Sequence, residues 1–146
     1  MKIRLGLQLD GQHGWHTKNS LGEITIGTNG MLNILEMQLG LIAEETPSSQ
    51  RVVQYLDCLK QCNHPKRFFY KSLNNDELGT SATLLRWRDQ WHLHGWNGEI
   101  NSIATSRLKD LADVETLTHG KLALSEGERL AKVLATMQKR TLTFSK

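Results

Sequence analysis

At 146 residues with a net charge of +3, from 18 basic and 15 acidic side chains, the chain is the size of one domain and lacks the strong basic excess of a dedicated nucleic-acid binder. A domain of about 150 residues withdraws roughly 70% of its unfolded surface from water, enough for a core without disulfide or metal staples. A hydrophobic fraction of 38%, a charged fraction of 23% and two prolines exclude a disordered chain.

Ile3, Leu5, Leu7 and Leu9 alternate with Lys2, Arg4, Gly6, Gln8 and Asp10, the period-two pattern of a strand with one apolar face. The same alternation excludes a secretory signal or membrane-spanning start and predicts a cytoplasmic protein. Asp10 to Ser20 is rich in glycine and small polar residues, so it leaves the strand as an exposed loop, anchored by Trp15. Glu23 to Ile26 adds a short strand. Gly27-Thr28-Asn29-Gly30 then turns into a helix over Met31 to Leu41, with Leu32, Leu35 and Leu39 on one side. Thr46 and Pro47 predict an N-cap with proline at the first helical position. Val52, Val53, Leu56 and Leu59 form that helix's stripe until Asn63-His64-Pro65 stops it.

Arg67-Phe68-Phe69-Tyr70 reads as a short buried strand. Asp76 to His94 reads as the longest helix, closed by Gly95, with Leu78, Ala82, Leu85 and the row Leu84, Trp87, Trp91 facing inward. After the turn at Trp96-Asn97-Gly98, Leu108, Leu111 and Ala112 mark a helix ending near Glu115, with a break at His119-Gly120. Ser125 and Glu128 have the spacing of a capping box. That box opens a helix carrying Leu130, Val133, Leu134 and Met137, and Thr141-Leu142-Thr143-Phe144 alternates like a last strand. The expected fold class is α/β, a single domain over residues 1–146 with a short, mostly parallel sheet flanked by about five helices.

Catalytic signatures are incomplete throughout. Gly22 and Gly27 have the glycine spacing of a phosphate-binding loop. Thr28-Asn29 stands where such a loop needs Lys followed by Ser or Thr, so ATP hydrolysis is not expected. No predicted strand carries the Glu-x-Lys element of a magnesium nuclease, and Asp113-Val114-Glu115 reads as a solvated helix face. Glu36, Glu44 and Glu45 read in the same way, as a solvated acidic interval. Cys58 and Cys62, four apart in a predicted helix, read as reduced thiols. His13 with His16 and His92 with His94 are the histidine pairs that a small hydrolase or metal-binding protein would use. Arg86-Trp87-Arg88-Asp89-Gln90-Trp91 mixes cations and rings as single-strand binders do, but the one-turn spacing of Trp87 and Trp91 favours a packed stripe.

Several words of the sequence resemble a known family. They are Leu5-Gly-Leu-Gln-Leu-Asp-Gly, Gly14-Trp15, Leu21-Gly22, Gly30-Met-Leu-Asn-Ile-Leu-Glu-Met-Gln-Leu-Gly-Leu41, Ala82-Thr-Leu-Leu-Arg-Trp-Arg-Asp89 and Gly95-Trp96. Together they look like the N-terminal region of bacterial PD-(D/E)XK nuclease family proteins, which resemble AddB/RecC-like helicase-nuclease subunits of recombinational repair. The resemblance implies that this chain is the N-terminal fragment of a larger DNA nuclease and carries no catalytic residue, cofactor or metal ligand of its own. Any Mg2+ would belong to a nuclease domain elsewhere in the parent protein. It also implies a degenerate helicase-like (P-loop-like) fold that docks DNA weakly, other domains of the parent, or a helicase subunit, with no membrane partner. The phosphate contacts it implies are Arg86, Arg88, Arg107, Lys109, Lys139 and Arg140.

Overall fold

The computed structural model describes residues 2–7, 9, 22–41 and 46–139. Internal contacts divide the chain into two compact units, residues 1–43 with 129–146, and Glu44–Glu128.

In the first unit, β1 (Lys2–Leu5) and β2 (Glu23–Ile26) pair in parallel, with Lys2 opposite Glu23 and Leu5 opposite Ile26. Alternation puts Ile3, Leu5, Ile24 and Ile26 on one face of the pair. On the other face Glu23 lies 3.2 Å from Lys2 and 3.0 Å from Arg4. Helix α1 (Thr28–Leu39) follows Gly27 directly, so the residues expected as a turn are its first turn. It ends at Gly40, whose φ of 69° lets Gly40 N–H reach Met37 and Leu41 N–H reach Glu36, the paired bonds of a left-handed helix stop. Its buried face, Leu32 and Leu39, packs with Val133 of α6 (Glu126–Lys139). Glu36 is not the solvated acid that was expected. It is buried, and both its carboxylate oxygens accept from Arg129, at 3.0 and 2.6 Å.

The second unit is helical: α2 (Ser48–Gln61), α3 (Tyr70–Asn75), α4 (Glu77–Leu93), α5 (Ser106–Thr118) and the first residues of α6. Its core is built from Tyr55, Leu56 and Leu59 of α2, Leu73 of α3, and Leu84, Leu85, Leu111 and Val114 of α4 and α5, together with Phe69 just before α3. The chain is therefore mostly helical, with one short two-stranded parallel sheet among the described residues, a mixed α/β fold.

Two expectations need correction. Residues 67–70 form no strand. They turn into α3, with Arg67 N–H bonded to His64 and Tyr70 N–H to Arg67. The Phe68 N–H is taken by an Asp110 carboxylate oxygen at 3.0 Å and Arg67 by its other oxygen at 2.8 Å, so aromatic burial here is achieved without a ladder. On α4 the inward face is Ser81, Leu84, Leu85 and Arg88, a regular helical stripe with polar residues at both ends. Leu78 and Trp87 are 57% and 40% exposed, and Ala82 is exposed. Ser81 is accepted in the core because its hydroxyl donates to the Val52 carbonyl at 2.9 Å.

The helix starts at Asp76 and Ser125 have the expected chemistry, whereas the expected Thr46 cap of α2 is not formed. Asp76 caps α4 by accepting from Gly79 N–H at 2.9 Å. The Ser125–Glu128 box is closed in both directions, Ser125 N–H to the Glu128 carboxylate at 2.8 Å and Glu128 N–H to the Ser125 hydroxyl at 3.3 Å. Pro47 precedes α2 instead of occupying its first position, and α5 runs on to Thr118.

Candidate functional site

Two features of the Glu44–Glu128 unit carry chemistry-bearing side chains. The first is a buried charge cluster. Arg88, 4% exposed, spends both edges of its guanidinium on carboxylates. Nε and Nη2 meet Glu115 at 2.6 Å each, and Nη1 and Nη2 meet Glu128 at 3.0 and 2.8 Å. His92, one helical turn along α4, brings Nε2 to 3.1 Å from Glu115.

Burial opposes ionisation of all three charged groups. For Glu115 it is outweighed by hydrogen bonds from His92 and Arg88, and for Glu128 by Arg88 and then Ser125. Both carboxyls are held at about 2, well below the usual range. Burial likewise works against the Arg88 charge, but Glu128 and Glu115 more than compensate and raise its pKa above the ordinary value. Donor atoms of His92, Glu115 and Glu128 lie within 4.8 Å of one another, a spacing compatible with a cation. The Arg88 guanidinium already occupies both carboxylates at 2.6 Å and 2.8 Å, so the arrangement is that of an ion-pair cluster closed on itself.

The second feature is an aromatic cleft of about 460 Å³, walled by Phe68, Trp87, Trp91 and Trp96 with Arg107 and His94 also lining it. Its construction is local at one end. The φ of 87° at Gly95 turns the chain back, so that Gly95 N–H bonds to His92 and Trp96 N–H to Trp91. This stop commonly brings the residue beyond the glycine onto the last turn of the helix. Here the pair is Trp96 on Trp91, edge to face at 5.5 Å and 86°. The Trp96 indole N–H is satisfied by the Glu99 carbonyl at 2.8 Å, and His92 packs against the same ring at 5.4 Å. The other wall depends on α5, where Asp110 holds the Phe68 backbone and Arg107 sits 5.8 Å over the Phe68 ring. No carboxylate among the described residues pairs with Arg107.

Of the residues expected to contact phosphate, Arg86 and Arg107 line different clefts within the Glu44–Glu128 unit. Arg107 lines the aromatic cleft, whereas Arg86 lines a separate cleft with Arg51 and Asp89. Lys109 is exposed on α5 and Lys139 is exposed in the other unit. Arg88 is corrected outright, because its guanidinium is buried against Glu115 and Glu128 and has no face left for a phosphate. The solvated face expected at Asp113-Val114-Glu115 is also corrected, since Val114 and Glu115 are buried and only Asp113 is exposed. His92 and His94 separate, the first to the charge cluster and the second to the cleft. Arg140, His13, His16, Trp15, Glu44, Glu45 and the strand expected at Thr141 to Phe144 lie outside the described residues.

Three basic residues from Arg51 to Arg67 are paired with carboxylates. Arg51 pairs with Asp89 at 2.6 Å, Arg67 with Asp110 at 2.8 Å and Lys60 with Glu77 at 2.7 Å. Cys58 and Cys62 are free thiols whose sulfurs face the Leu117 and Asp113 carbonyls, and burial pushes both up. No helix among the described residues is long and apolar enough to cross a membrane. No family model, curated protein or solved structure matches the chain.

Proposed function

We propose that this chain is a non-catalytic domain that docks DNA for a PD-(D/E)XK-type nuclease or helicase-nuclease in repair or defence. The observation that carries the reading is Arg107, with no carboxylate partner among the described residues, standing over Phe68 at the aromatic cleft. Aromatic walls beside an uncommitted guanidinium suit a nucleic-acid strand, which offers rings and phosphates together. Arg86, Lys109, Lys139 and Arg140 remain as outlying phosphate contacts in this reading, and Arg88 is withdrawn. A degenerate helicase-like (P-loop-like) origin is supported by the order strand β2, Gly27, helix α1, with Thr28-Asn29 in place of the nucleotide-binding Lys-Ser/Thr.

A different reading, a small histidine-using hydrolase or metal-binding protein, draws on the His92, Glu115 and Glu128 donors. The occupation of those carboxylates by Arg88 favours docking over chemistry at that point. The test is DNA binding by fluorescence anisotropy across a salt series, with ATP hydrolysis and magnesium-dependent cleavage measured on the same protein. Weak binding that falls as salt rises, with neither activity, is the expected result. Either activity, abolished by a substitution within this chain, overturns the proposal.

A further inference from the structure

The cleft beside Trp87 is more specific than a general basic surface. We propose that it takes an unpaired nucleobase of a single-stranded nucleic acid, stacked on Trp87 with the adjoining phosphate against Arg107. This deepens the DNA-docking reading above and rests on it.

Four observations lead to this occupant. Trp87 is 40% exposed on a helix whose neighbouring Leu84 and Leu85 are buried, so a large ring is held out where a partner can cover it. The cleft volume of about 460 Å³ is in the range of small-ligand sites and accepts a flat ring with its sugar. Aromatic cages of this kind can also hold quaternary ammonium groups. Here the lining carries the Arg107 guanidinium and the His94 imidazole and no carboxylate, which selects an anionic or neutral ring over a cation.

Finally, Phe68 and Trp87 wall a second concavity of about 430 Å³, with Ser72, Thr80 and Thr83 also on its lining. Its carboxylate, Asp76, is already the cap of α4. The two concavities share the Phe68 and Trp87 walls, which gives a polymer with successive bases a second place beside the same rings. A base within a duplex is stacked between its neighbours and cannot enter without being extruded, so the geometry discriminates against double-stranded DNA. The rings are positioned in advance, Trp96 by its bond to Glu99 and Phe68 by Asp110, which reduces the ordering cost of binding.

Intrinsic fluorescence reads this directly, because Trp87, Trp91 and Trp96 all line the cleft. The full chain is titrated with a short oligothymidylate and with a duplex carrying the same number of phosphates. The single strand should quench and bind more tightly. Trp87→Ala should weaken it on the order of tenfold or more without changing the slope of log affinity against log salt, and Trp87→Phe should restore most of the loss. Arg107→Ala should instead lower that slope by about 0.7, one phosphate contact on a single strand.

Circular dichroism of each variant confirms that the fold is kept. Equal binding of duplex and single strand, with Trp87→Ala unaffected, overturns the stacking proposal and leaves DNA docking standing. Binding of neither nucleic acid at low salt overturns both. Quenching by an aromatic peptide and by neither nucleic acid assigns the cleft to a protein partner and also overturns both.

Discussion

Replacing Arg88 with methionine keeps most of the side-chain length and removes the guanidinium that pairs with two carboxylates, one buried and one partly buried. Glu115 and Glu128 have side chains only 6% and 19% exposed, and breaking such a cluster by removing one partner costs about 3–5 kcal/mol. Proton linkage reaches the same range by another route. A carboxyl held at about 2 against 4.5 is stabilised in its ionised form by about 3 kcal/mol. The two contributions share one guanidinium, so they do not add fully. Residual bonds temper the loss, since Glu115 keeps His92 at 3.1 Å and Thr118 at 3.2 Å, and Glu128 keeps the Ser125 hydroxyl at 2.7 Å.

The sign with pH distinguishes this mechanism from simple loss of packing. In the wild type both carboxyls lie below their ordinary value, so their contribution is complete above 4.5 and is lost as pH falls through about 2. Without Arg88, burial is opposed only by His92 and Thr118 at Glu115 and by Ser125 at Glu128, so both carboxyls rise from their wild-type position and part of the penalty is relieved by protonation as the solution is acidified. Urea unfolding followed by tryptophan fluorescence at several pH values should therefore give a gap of about 3–5 kcal/mol at neutral pH that narrows towards pH 3. A gap below about 1 kcal/mol, within the ordinary range of point substitutions, or one equally wide at both ends, refutes the reasoning. Arg88→Lys, which keeps the charge but not the fork, should fall between the two.

Gly127→Ala should destabilise despite alanine's better helix propensity. The added Cβ would sit 2.8 Å from Leu93 N and 2.9 Å from Leu93 Cα, backbone that cannot step aside, for a net loss of about 1–3 kcal/mol in thermal unfolding. A stabilised variant would contradict the close approach of α6 to the end of α4 within this unit. Gly79→Ala should depend on its neighbour, because its Cβ would meet the capping Asp76 carboxylate at 2.0 Å. Alone it should lose about 0.5–2 kcal/mol of cap against the propensity gain, whereas in an Asp76→Ala background it should stabilise by about 1 kcal/mol. Equal changes in both backgrounds would exclude the collision. Ser125→Ala should cost about 1 kcal/mol, measured by urea titration. Combined with Arg88→Met its effect should not be additive, because both residues hold Glu128.

The candidate site was half visible in the sequence. Gly95 as a helix stop and the Arg86-Trp87-Arg88 word were both apparent, but a helix advances about 100° per residue and sends those side chains in different directions. Arg86 lines one cleft, Trp87 another, and Arg88 enters the core. The Phe68 wall was read as part of a strand because its burial, not its backbone, dominated the local pattern. What places it is Asp110, 42 positions away.

What the sequence determined by itself was local. The Ser125–Glu128 box, the Gly95 stop, the Asp76 start of the long helix and the β2-Gly27-α1 order each depend on hydrogen bonds or backbone freedom within a few residues. Which face of each helix turns inward was decided by the tertiary structure. The α4 stripe begins with Ser81 and ends with Arg88, and a scan for apolar periodicity rotates away from such residues. Burying them is tolerable only because a carbonyl 29 positions away and carboxylates 27 and 40 positions away meet them. The desolvation of a polar group is a cost set at its own position, but its compensation comes from residues distant in the chain. That pairing exists only once the helices have packed.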